Sequence, residues 1–370
     1  MASRGGAFAF VALCLLDLAL HGAAEPLAPA MFVFGDSTVD VGNNNYLKKC
    51  KIECKADYPR YGVDYPDQAP TGRFSNGYNL ADQLAQLLGF PESPPPFLSL
   101  PNDSLIPQMS KGISFASGGS GLLDNTSSHA CGEVLSMTNQ VRNFTSLARQ
   151  WKIENQTAAD LVTKSLFFIS VGSNDLFEHA DITVDNRNDT EFLQLLVASY
   201  SSYLKDLHRA GAKKFSVVSP SLLGCCPSQR LIAQESKDFD KYGCFGSANN
   251  LSKQLYPMIA SMLHDLTLEL PGMNYSLGDS IRMAEGVFNN THTPAYNFTV
   301  LSKACCGVGD FGASGCNSSV PLCQNRANYM FWDKFHPTDA ASAVTAKELF
   351  GNTGSFVHPI NVQQLVTSQP

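Results

Sequence analysis

Charge is scarce in this chain: 16% of its 370 residues are charged, with 26 Lys and Arg against 33 Asp and Glu. A net charge of -7 and a pI near 5.6 leave no basic surplus to displace counterions from a polyphosphate, so nucleic acid is not an expected partner. So little charge beside 44% hydrophobic residues also excludes a disordered or fibrous chain and allows a large buried core. Paired CxxC units with histidines are missing. Vicinal pairs stand instead at Cys225–Cys226 and Cys305–Cys306, which makes a metal site the weaker reading and disulfides the stronger one. There is no internal repeat, and the one low-complexity tract, Pro91 to Pro101, reads as an extended connection rather than a domain boundary. Beyond the first two dozen residues no apolar run approaches the roughly 20 residues that span a bilayer.

What is present begins with Arg4, an apolar run from Ala7 to Leu20 broken by Asp17, and then HGAA. That order of charged start, apolar core and small residues is expected of a signal peptide cleaved after Ala24; the rival is an uncleaved anchor. The reading makes residues 1–24 a leader and 25–370 a single domain, secreted to the extracellular space or cell wall. With Cys14 in the leader, Cys50, Cys54, Cys131, Cys225, Cys226, Cys244, Cys305, Cys306, Cys316 and Cys323 remain, an even set suited to an oxidising compartment. Acceptor sequons at Asn102, Asn125, Asn143, Asn155, Asn188, Asn250, Asn274, Asn289, Asn297 and Asn317 make N-glycans expected partners.

Along the chain, apolar runs ending in Gly, Asn or Pro alternate with helical periodicity. A strand is expected at Met31 to Phe34, a helix on which Leu80, Leu84, Leu87 and Leu88 share a face, and a strand in SLFFIS. A helix ending near Gly211 leads to a strand from Phe215 to Val218, and further helices fit Asn249 to Leu270 and Thr338 to Phe350. The alternation predicts a mainly parallel sheet covered on both faces, a three-layer α/β/α sandwich. Ligands in such sheets sit beyond the carboxyl ends of the strands, so reactive residues are sought just after them.

Ser37 stands there, behind Gly35 at the end of the first strand. GDS is ordinary turn chemistry too, and Gly278-Asp279-Ser280 repeats it after NYSL, a poor strand, where Asp279 or Ser280 reads as a helix cap. A serine hydroxyl needs a base held in the right tautomer. Asp333 and His336, three apart, suit one helical turn, against the plainer reading of a solvated cluster ahead of a helix capped by Thr338. Oxyanion donors could come from the Gly118 amide in FASGGSGLLD and the Asn174 side chain in VGSND. Their plainer readings are a flexible glycine loop and an Asx turn. Asp36 and Asp175 read as loop braces, and Arg73 as either a brace, a substrate contact or a structural ion pair. Of the other histidines only His179, close behind VGSND, stands near a candidate residue; surface or structural roles suit the rest.

Taken together, FVFGDSTVDVGNNNY, PTGRFSNG, FASGGSGLLD, VGSND and FWDKFHPT resemble the plant branch of the GDSL-type SGNH esterase/lipases over nearly the whole mature chain. The resemblance implies Ser37 as nucleophile, His336 as base, Asp333 as its partner, and the Ser37 N–H, Gly118 and Asn174 as oxyanion donors. It implies no cofactor and no metal. It also implies an ester substrate, whether lipid, small acyl ester or acylated cell-wall polysaccharide. Thr38 departs from the leucine of the name motif; having no proton to move, it is expected to leave activity intact. Because the base must be neutral, activity is expected to rise through the ordinary histidine range, about pH 6 to 7.

Overall fold

The segment leading to Ser37 is a strand because each of its side chains finds a face to bury: β1, Met31–Gly35, is buried throughout. A computed structural model describes residues 25–181, 188–289, 298–351 and 355–369; the leader at 1–24 and Asn297 lie outside them. β1 pairs in parallel with β2 (Leu166–Ser170), β2 with β3 (Lys214–Val218), and β3 with β4 (Asn274–Gly278); β5 (Val357–Pro359) closes the sheet antiparallel to β4. NYSL is therefore a full strand of the central sheet and not a poor one. Its polar Ser276 is fully buried, so the burial of its neighbours overrides its weak strand pattern.

Both faces are covered, as a parallel sheet requires. Phe32 and Phe34 of β1 pack with Phe144 of α2 (Met137–Glu154) and with residues of α4 (Asp189–Arg209) and α6 (Gly246–Glu269). Met31 and Val33 point the other way, against Leu80 and Leu84 of α1 (Leu80–Leu87) and Leu349 of α8 (Asp339–Gly351). The Phe32 and Phe144 rings meet edge-on at 4.9 Å between centroids. Fully burying each such ring contributes roughly 2 to 3 kcal/mol. The three-layer α/β/α sandwich is thus present. α3 (Ser173–His179), α5 (Pro227–Ser236) and α7 (Ser280–Phe288) follow β2, β3 and β4 in the chain, and Asp279 caps α7 by accepting the Arg282 N–H.

β1 is not a bare edge. Ile113 to Phe115 runs beside it, with Val33 N–H donating to the Ile113 carbonyl and Phe115 N–H to the Val33 carbonyl. The chain leaves β1, lays this segment on one side and returns as β2 on the other, so the connection reverses direction at β1. That is the topological switch point, where an open α/β sheet forms its crevice. Three loops leave it side by side: Ser37 after β1, Gly118 after the neighbouring segment, and Asn174 after β2.

Four disulfides join Cys54–Cys131, Cys225–Cys244, Cys305–Cys323 and Cys306–Cys316, while Cys50 and Cys226 are free and buried. Eight of the even set of ten pair, because the last two thiols lie apart, Cys50 against the Cys54 carbonyl and Cys226 against that of Phe335. Of the ten acceptor asparagines, nine are described and none of these is buried. No helix among the described residues is long and apolar enough to cross a membrane.

Candidate active site

The strand end at Ser37 is made by a glycine. Gly35 has φ +139°, and a Cβ there would lie 1.9 Å from the Ser170 carbonyl oxygen of the neighbouring strand, so no other residue allows the turn so close to β2. Gln140 of α2 clamps the same residue, its Oε1 accepting the Gly35 N–H and its Nε2 donating to the Gly35 carbonyl, both at 2.9 Å. Nothing in the local sequence marks this glutamine, which is buried 105 residues away.

Ser37 Oγ lies 2.8 Å from His336 Nε2. The other ring nitrogen, Nδ1, is 2.8 Å from both carboxylate oxygens of Asp333, so the ring sits between a hydroxyl and a carboxylate. The Asp333–His336 spacing does not lie on a helical turn. The segment is a loop in which Asp333 Oδ1 accepts the N–H groups of Phe335 and His336, each at 2.8 Å, and α8 starts only afterwards, with Thr338 Oγ1 accepting the Ala341 N–H. Cys305 and Cys306 hold this loop from behind: their N–H groups donate to the Phe331 and Trp332 carbonyls, and each cysteine is disulfide-bonded.

Tyr61 completes the carboxylate's surroundings by donating its hydroxyl to Asp333 Oδ2 at 2.7 Å. The sequence carries no sign of this contact across 272 residues. Burial pushes Asp333 up, but the His336 charge and the hydrogen bonds from His336, Phe335 and Tyr61 outweigh it and hold the carboxyl below its ordinary value. Burial and the Asp333 charge in turn push the Tyr61 hydroxyl well up, which keeps it a donor. Phe74 covers the imidazole, ring centroids 4.7 Å apart.

The glycine loop differs from expectation. Gly118 N–H donates to Asp40 Oδ2 at 2.9 Å, so this amide is already committed. The reason is that Asp40 ties two loops together, its other oxygen accepting the Gly42 and Asn43 N–H groups. Among the described residues, the amides of Ser37, Gly119 and Gly121 make no hydrogen bond. Asn174, in the first turn of α3, uses one amide hydrogen on the Ser120 carbonyl at 2.9 Å and keeps the other. Asp36 and Asp175 are loop braces: the first accepts Thr38 N–H and hydroxyl, the second the Leu122 and Leu123 amides and the Thr126 hydroxyl. Arg73 forks onto Asp82 at 2.6 and 2.8 Å, a buried ion pair at the start of α1. His179 stacks on Phe192 and meets Asp189 at 2.9 Å.

Burial, only partly offset by hydrogen bonds, raises both Asp36 and Asp40 to about 6 from an ordinary 3.8. The folded state then holds protons that the unfolded chain has already lost, so each group's stabilisation is present in acid and fades as pH rises from about 4 through 6. Between pH 5 and 7 that amounts to about 1 kcal/mol per group. Urea unfolding is expected to give a higher free energy at pH 5 than at pH 7, with the gap about 1 kcal/mol smaller in Asp40→Asn protein. Equal values at the two pH settings would refute this assignment.

Chemically, the arrangement can move a proton from a serine hydroxyl to an imidazole oriented by a buried carboxylate, beside unengaged N–H donors. No group of three or more His, Cys, Asp or Glu that could hold a metal occurs among the described residues. Residues 31–349 match the GDSL-like lipase/acylhydrolase family. The chain is 35% identical to GDSL esterase/lipase At5g55050 of Arabidopsis thaliana, covering 94% of this chain and 93% of that one. It is 34% identical to GDSL esterase/lipase At1g71691 of the same plant, covering 95% of this chain and 88% of that one. With a match over most of its length and relatives this similar across nearly all of theirs, the chain belongs to the GDSL-like lipase/acylhydrolase family.

Proposed function

We propose that this protein, a carboxylic ester hydrolase by family, is a secreted esterase/lipase working through a Ser37 acyl-enzyme. The observation that carries the reading is the unbroken 2.8 Å chain from Ser37 Oγ through both His336 nitrogens to Asp333. His336 Nε2 takes the hydroxyl proton as Oγ attacks the acyl carbon, and returns it to the departing alcohol. Water then attacks the acyl-enzyme, giving its proton to His336, and the acid leaves as that proton goes back to Ser37. Asp333 holds the ring with Nδ1 protonated and offsets the charge it gains. The Ser37 amide and the spare Asn174 hydrogen receive the oxyanion, each good donor being worth about 3 kcal/mol. Gly118, with its N–H on Asp40, is not counted among these donors; Gly119 and Gly121 carry the uncommitted amides of the same loop.

Export fits the leader at 1–24 ahead of one domain at 25–370, together with four disulfides that persist only in an oxidising compartment, and with exposed or half-exposed N-glycan acceptors. Labelling of the purified protein with a fluorophosphonate is expected to give one adduct, on Ser37, that is lost in Ser37→Ala protein. Absence of that adduct would refute the mechanism and leave a catalytically idle secreted binding glycoprotein. Product analysis with and without an added alcohol separates hydrolysis from acyl transfer to lipid, and acetylated xylan tests the acetyl esterase reading.

A further inference from the structure

An apolar cavity of about 170 Å³ opens beside the reacting groups and touches each of the segments that carry them. Thr38 follows Ser37, Ser173 precedes Asn174, and Phe335 and Pro337 flank His336, and all four line it. From this mouth it runs between α7 and α8, walled by Met283, Ala284, Val287, Phe331 and Val344.

Five of the hydroxyls around the cavity are already engaged, Thr345 Oγ1 by the Ala341 carbonyl, whereas those of Ser173, Ser280 and Ser342 at its edge make no hydrogen bond among the described residues. Ser219 Oγ donates to the Gly278 carbonyl and Ser221 Oγ to the Ser280 carbonyl, while Thr38 Oγ1 is bonded to Asp36 and shares a 2.9 Å contact with Ser170 Oγ. A sugar in this space would set most of its hydroxyls against apolar wall, at the cost of burying unpaired polar groups. A hydrocarbon chain meets a wall that is mainly apolar. Since an apolar cavity of about 150 Å³ holds a benzene, 170 Å³ holds roughly six to eight acyl carbons.

Resting on the hydrolase reading above, we infer that this cavity is the acyl pocket and that the protein prefers medium-chain esters of about six to eight carbons. An acetyl group leaves it unfilled. A chain well beyond eight carbons outgrows it. Thr38, in place of the name motif's leucine, puts a small hydroxyl at the mouth that is tied back to Asp36 and Ser170.

The test is a series of p-nitrophenyl esters from acetate to palmitate with wild-type, Val287→Trp and Val344→Trp protein; both valines are half-buried, on opposite walls. Wild-type kcat/KM is expected to peak at hexanoate or octanoate, about 10- to 100-fold above acetate, as added buried methylenes allow. Either tryptophan is expected to lower the octanoate-to-acetate ratio of kcat/KM at least tenfold, with an unchanged unfolding midpoint showing that the variant folds. Calorimetric binding of octanoate to Ser37→Ala protein reads the pocket without hydrolysis, and Val287→Trp in that background is expected to abolish it. A flat or acetate-peaked profile together with no octanoate binding overturns the pocket. Binding that Val287→Trp removes, in a protein showing no Ser37-dependent turnover of any ester, supports the pocket and sinks the hydrolase reading instead.

Discussion

Ser37→Ala and His336→Ala proteins are each expected to lose about a millionfold in kcat on a short-chain ester, and the double variant no more than either alone. The hydroxyl and imidazole act as one unit: an undeprotonated serine is a poor nucleophile, and a base facing no hydroxyl has nothing to activate. With Ser37 Oγ only 2.8 Å from His336 Nε2, removal of either breaks the same step. Ser37 is nearly buried and its hydroxyl is small, so the alanine variant is expected to keep its unfolding midpoint. Single-turnover kinetics on the three proteins checks this. Losses that multiply in the double variant would mean that the two residues act separately.

Asp333→Asn protein is expected to lose about ten-thousandfold in kcat while keeping its fold. The asparagine oxygen can still accept the Phe335 and His336 amides that shape the loop. What it cannot supply is charge, and its NH2 group facing Nδ1 turns that nitrogen into an acceptor. Nε2 then carries the hydrogen and cannot take the serine proton. Tyr61, which donates to the other carboxylate oxygen, loses its acceptor in the same change if the amide turns its nitrogen that way. A kcat within tenfold of wild type, in a variant whose unfolding midpoint is unchanged, would show that the carboxylate does not orient the ring.

How much of this is legible in the sequence varies with how local the cause is. The β1 strand, its abrupt end at Gly35 and the leucine face of α1 follow from neighbouring residues, and the sandwich follows from alternating apolar runs and helical periodicity. NYSL misleads because its burial comes from β3 and β5 on either side, not from its own composition. The Asp333–His336 spacing suggests a helix because three residues apart suits one, whereas the carboxylate's bonds to two following amides make a turn of the same span. Gly118 stands in a crowded run of glycines, and its commitment to Asp40 depends on a side chain 78 positions earlier.

The linear order of residues is enough to say which segments end at a strand's carboxyl edge, which side chains can exchange a proton, and which chemistry that pair supports, because these depend on residue type and short spacing. It could not show that Tyr61 and Gln140 brace the site, that the Gly118 amide is committed, how eight of ten cysteines pair, or that a mainly apolar cavity opens beside Ser37. Those properties belong to contacts between residues tens to hundreds of positions apart. They exist only once packing has brought those residues within hydrogen-bonding or van der Waals reach.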